Sequence, residues 1–150
     1  MVDHNALGAT GETFEMDVER GKIAEFARSI QTENSAYTGP EAVAPPTFLT
    51  TMFHWERGVA DSNPWPRVDM SQARGMHAEQ EYIFHGPPPR AGDRLSATSR
   101  IDSIFEKEGR RGGALTFVVM VTEFRNTEGK LVAEARMTAV ETARPPEEAS

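Results

Sequence analysis

Moving a proton on or off a substrate needs an acid and a base within hydrogen-bond reach of it, and this chain has few candidates: Glu33, Tyr37 and His54. Glu33 reads as a solvated loop carboxylate, with a displaced catalytic acid as the alternative. Tyr37 is a poor base at neutral pH, because its unperturbed pKa is about 10. It reads as a packed loop aromatic or as channel lining. His54 stands in an apolar stretch and reads as a hydrogen-bonded core histidine, with a base as the alternative. His77, Glu79, Glu81 and His85 fall on one face of an alternating segment but lack a compact ligand spacing, so no metal site is assigned. Arg110-Arg111 divides evenly between a phosphate contact and a solvated loop. Cysteine is absent, which removes thiol nucleophiles, disulfides and thiolate metal sites. No Gly-x-Ser-x-Gly occurs, and Gly112-Gly113 has no Walker or dinucleotide pattern around it. No cofactor is implied.

These residues must be positioned by one domain, given 150 residues. With 23 acids against 16 Lys and Arg, the net charge is −7. That disfavours nucleic acid and anionic membranes as partners, since neither finds a basic footprint. The start MVDHNALGATGETFEM has no basic-then-apolar pattern, and no apolar run approaches a membrane span. The expectation is a cytoplasmic domain at 12–143, with a flexible arm at 1–11 and a disordered Pro/Glu-rich tail at 144–150.

The hydrophobic period changes once along the chain. Ile23, Phe26, Ala27 and Ile30 mark one face of a helix, with Asp17 placed to cap it. A polar turn-rich stretch follows at 31–40. Pro45-Pro46 then opens a second, nearly all-apolar helix over 47–58, which should be buried, with Gly58 closing it. Residues 59–75 read as a long irregular loop. Alternation at 79–85, 95–103, 115–125 and 130–142 predicts four strands in an antiparallel meander, with Asn126 to Gly129 as a hairpin turn. A first strand near 14–18 makes five. The fold class is α+β, a curved antiparallel five-strand sheet around an apolar helix, which is the hot-dog arrangement.

Three stretches carry a resemblance: GKIAEFARSIQTENSAYTGPEAVAPPTF (21–48), EQEYIFHGPPPRAGDRLSATSRI (79–101) and GRRGGALTFVVMVTEFRNTEGKLVAEARMTAV (109–140). With its APPTF box and Pro-x-x-x-Gly-Asp turn, the sequence resembles the MaoC-like hot-dog family. The likeness is to the N-terminal MaoC-type half of fatty-acid-synthase-like dehydratases. It extends to small mycobacterial-type subunits that pair with a catalytic hot-dog partner. The resemblance implies hydration of enoyl thioesters, or dehydration of (R)-3-hydroxyacyl thioesters, on coenzyme A or acyl carrier protein. Catalytic members place an Asp and a His as Gly-Asp-x-Asn-Pro-x-His. Setting Asn34 on the Asn of that motif puts Thr32 at the Asp position and Tyr37 at the His position, with Gln31 for Gly and Ser35 for Pro.

The resemblance therefore implies a subunit that lacks the catalytic pair and shapes the acyl channel for a partner that has it. Asn34, Tyr37, Pro46, Thr47, Arg110 and Arg111 are its substrate-binding candidates. Two alternatives stand beside this reading. One is a self-sufficient homodimeric hydratase using Glu33 or His54. The other is a non-catalytic acyl-thioester binding protein.

Overall fold

The computed structural model describes residues 1–109 and 113–143, so Arg110, Arg111, Gly112 and the 144–150 tail lie outside the described residues. Five strands form one antiparallel sheet: β1 (Phe14–Asp17), β2 (Gly75–Phe84), β3 (Arg94–Glu108), β4 (Ala114–Arg125) and β5 (Leu131–Thr142). The spatial order is β1-β3-β4-β5-β2. The expected four-strand meander is therefore corrected. Only β3, β4 and β5 run on as hairpin neighbours, and β2 sits beyond β5 as an edge. The 85–93 connection leaves β2, bridges Val43 through Arg90 and returns to the end of β1, where Val18 N–H donates to Asp93 O at 2.8 Å.

One cross-strand row explains why the sheet curves. Register aligns Phe14 with Ala97, Ala97 with Phe124, Phe124 with Ala133, and Ala133 with Phe84. Large and small side chains thus alternate across all five strands. Phe14 and Phe84 stand on opposite edge strands yet join one apolar cluster, which requires the sheet to bend around it. The alanines leave room for what lies in the bend: Ile23 of α1 (Arg20–Ser29), and Phe48 and Leu49 behind Pro45. Phe26 meets the Phe48 ring edge-on at 5.7 Å between centroids. Burying each of these aromatics contributes about 1.5–3 kcal/mol. The expected Asp17 cap is absent, because Asp17 accepts two bonds from Arg94 at 2.8 and 3.3 Å instead.

The second helix covers most of the expected stretch but is not one continuous α-helix. Phe48–Met52 forms a 3-10 turn, and α2 (Phe53–Glu56) is a single α-helical turn. Phe53 is 40% exposed and His54 is exposed as well. This part of the sheet's inner face, with Ile101, Val118 and Met120, therefore needs another cover. The N-terminal segment and the 59–75 loop supply it. Val2, Ala6 and Val68 are buried against those strands, Asp3 N–H donates to Val68 O at 2.8 Å, and Gly8 N–H donates to Ile101 O at 2.9 Å. The expectation of a loose arm over 1–11 is thus corrected: these residues pack as part of the domain.

Gly11 fixes this packing. A Cβ there would collide with the Ser62 carbonyl oxygen, a backbone atom that cannot swing away. Replacing Gly11 by alanine should destabilise the domain by about 1–3 kcal/mol, the usual cost of overpacking. Thermal melting should show this as a drop of several degrees, whereas a loose arm would leave melting unchanged.

Candidate functional site

The polar loop between α1 and the APPTF box is built from short backbone turns. Gln31 takes a left-handed φ of 55°, which reverses the chain after the helix. Thr32 N–H then reaches back to Ala27 O at 3.1 Å. Asn34 caps the next turn, Ser35–Tyr37, with its side-chain oxygen accepting from Ala36 N–H at 3.0 Å. Thr32 Oγ1 accepts from Asn34 N–H at 3.3 Å. The side chains of Thr32 and Asn34 are thus spent on local turn geometry. Tyr37 is half-buried and packs on the apolar cluster that holds Phe48. Val43 N–H to Ala36 O at 2.8 Å ties this loop to the strand-like stretch before the box.

The other sequence candidates separate. Glu33 is exposed, as are Pro46 and Thr47 at the mouth of the box. His54 is not a core histidine. It is exposed, with its ring 4.2 Å from Phe53 and 6.2 Å from Trp55 between centroids. The shared face of His77, Glu79, Glu81 and His85 is also corrected. A bulge between His77 and Glu79 puts His77 level with Ala139 and Glu79 level with Thr138, so His77 turns to the opposite side. His85 pairs with Glu134 at 2.8 Å.

Two carboxyls show opposite solutions to burial. Glu141 is 4% exposed but accepts from Ser71 N–H and from Arg74, both at 2.7 Å. Glu56, at the end of α2, is 9% exposed, and its Oε1 has no partner among the described residues. Burial pushes the Glu56 carboxyl above its ordinary value. It lines a groove of about 480 Å³ with Phe53, Val59, Asp61 and Pro66. Sequence reasoning passed over Glu56, although a lone acid closing an apolar run was the signal available.

With the bent sheet and this loop in view, the class is that of the MaoC-like hot-dog dehydratases. The chain belongs to the family described as FAS1-like, dehydratase domain region, whose profile matches residues 5–135. It is 33% identical to a UPF0336 protein of Saccharopolyspora erythraea, over 87% of this chain and 86% of that one. A UPF0336 protein of Streptomyces avermitilis is 38% identical, over 59% of this chain and 63% of its own length. Among solved structures, the C-terminally truncated HadBC (3R-hydroxyacyl-ACP dehydratase) complex of Mycobacterium tuberculosis matches at 26% identity. Its TM-score is 0.70, over 90% of this chain and 96% of that one. The ChsH1-ChsH2 complex of the same species shares the fold at a TM-score of 0.66 and 15% identity, over 94% and 92%. Among the described residues, no helix is long and apolar enough to cross a membrane.

A carboxyl whose folded pKa is raised contributes full stability below its unfolded pKa and loses it as pH rises towards the folded value. Glu56→Gln should therefore melt higher than the parent at pH 7. The gap should close as pH falls below the ordinary carboxylate range of about 4 to 4.5. Equal melting of the two proteins at pH 7 would show that Glu56 carries no such strain.

Proposed function

We propose that this chain is the non-catalytic subunit of an (R)-specific 3-hydroxyacyl-thioester dehydratase, working also in the hydratase direction. The observation that carries the reading is the content of the 31–37 loop. Thr32 and Tyr37 stand where catalytic relatives carry an Asp and a His, and Thr32 has no carboxylate to hold a water. The described complexes of relatives, HadBC and ChsH1-ChsH2, support an assembly of more than one such chain.

In this reading a second hot-dog chain supplies the acid and base. Water adds to the β-carbon of an enoyl thioester, and a proton goes to the neighbouring carbon. This chain contributes walls, not proton transfer. Tyr37, Pro46 and Thr47 border the entry to the apolar bend, and Phe26 and Phe48 close its floor. Arg110 and Arg111 hold the phosphates of coenzyme A or of the carrier-protein arm. Glu33 and His54 are bystanders, and the complex works in the cytoplasm.

The partner adds to the open edge of β2. Ten residues there offer backbone groups on one side, and an edge of that length invites another strand. Alternate residues of an antiparallel strand aim their N–H groups towards and away from the neighbour. Gln80 and Glu81 are successive, opposite Met137 and Arg136 of β5. Of the variants Gln80→Pro and Glu81→Pro, one should break the ladder to β5 and lower the melting temperature. The other should melt normally yet no longer copurify with a co-expressed hot-dog protein carrying Gly-Asp-x-Asn-Pro-x-His from the same genome. Undiminished copurification of both variants, or no complex for the parent chain, would contradict the proposal.

A further inference from the structure

The first half of β2 is open on both faces as well as along its edge. Residues 76–81 are exposed without a break, whereas a strand with one covered face alternates. β2 ends the sheet and pairs only with β5 among the described residues. The inner face beside it carries a groove of about 350 Å³ lined by Trp65, Met70, Met137, Ala139 and His77. Met76 is 52% exposed at the same place. An apolar groove under an unpaired strand marks a surface that another chain covers.

The outer face says which kind of chain. Glu79 and Glu81 lie there with Phe105, Phe117 and Arg136. Nothing within the molecule answers these two carboxylates. Lys107 is spent over the Phe105 and Phe117 rings, 5.2 and 5.3 Å from their centroids. Arg136 stands opposite Glu81 in the ladder but lies 3.7 Å from Glu134 instead. Neither Glu79 nor Glu81 takes part in an ion pair among the described residues.

A second copy of the chain does not answer them either. Two β2 strands joined edge to edge are related by a two-fold axis normal to the sheet, so each face stays on its own side. Antiparallel pairing centred on Gln80 sets Glu79 opposite Glu81 twice. Pairing centred on Glu79 or on Glu81 sets that residue opposite itself. Like charges directly opposite destabilise a strand pair, and opposite charges stabilise it. We propose that this half of β2 selects a partner strand with Lys or Arg facing Glu79 and Glu81, and that the same acids hold off a second copy of this chain. The inference rests on the partner edge of the dehydratase reading and adds to it the partner's charge and the exclusion of a homodimer there.

The test uses the full chain and its charge-reversed form, Glu79→Lys/Glu81→Lys, which serves as the basic strand. Both positions are exposed, so the two proteins should melt alike. Sedimentation velocity should show each alone as a monomer. An equimolar mixture should form a heterodimer at least about tenfold tighter than either self-association, since two like-charge pairs become two ion pairs. Amide exchange at 76–81 should slow in the mixture, and added salt should dissociate it. Glu81→Lys alone should self-associate, because the register centred on Gln80 then sets opposite charges across the axis twice. A mixture no more associated than the parent alone, or a parent that dimerises through 76–81, would overturn the proposal. A heterodimer in the mixture from a parent that copurifies no hot-dog protein supports the charge selection and counts against the dehydratase assembly alone.

Discussion

The row Phe14, Ala97, Phe124, Ala133, Phe84 decides how tightly this sheet can wrap. Three phenyl rings on alternate strands fill the bend, and two alanines between them let the α1 and APPTF segments approach. Enlarging either alanine would push the rings apart, and truncating Phe124 would leave a cavity costing about 3–5 kcal/mol. The polar loop at 31–38 hangs between the two segments that this row seats. The sheet thus fixes where the loop hangs, and the loop's own turns fix its shape.

The same bend creates a shortage of cover. The segment after Pro45-Pro46 is helical only from Phe48 to Glu56, in two short pieces. The inner face further along, around Ile101, Val118 and Met120, is closed by Val2, Ala6 and Val68. A hydroxyl pair, Ser99 and Thr122 at 2.7 Å, satisfies the polar groups buried between the two apolar clusters. Glu56, at the end of α2, is left buried with its Oε1 unpartnered among the described residues.

Much of the sheet was legible in the sequence, because alternation along β3, β4 and β5 follows directly from one buried face. The place of β2 was not, since its exposed side chains carry no trace of which strand lies beside them. Nor was the bulge that turns His77 away from Glu79, because one extra residue changes the face without changing composition. The arm at 1–11 reads as loose because it is largely polar and broken by glycine and other small residues, while Val2 and Ala6 give no local sign of the surface that buries them. They earn their burial only from a surface made by distant strands. In the candidate site, the motif spacing points to Asn34 and Tyr37, whereas the exposure of His54 leaves no mark in an apolar run that reads as one buried helix. Glu56 emerged only from three-dimensional burial.

The central claim is that the chemistry belongs to a partner chain. The most direct measurement is hydration of a short 2-enoyl-CoA by this chain alone, followed as loss of the conjugated thioester absorbance. The account predicts a rate no higher than the buffer control. Turnover of about 1 s⁻¹ or more, within the ordinary range of enzymes, would contradict it.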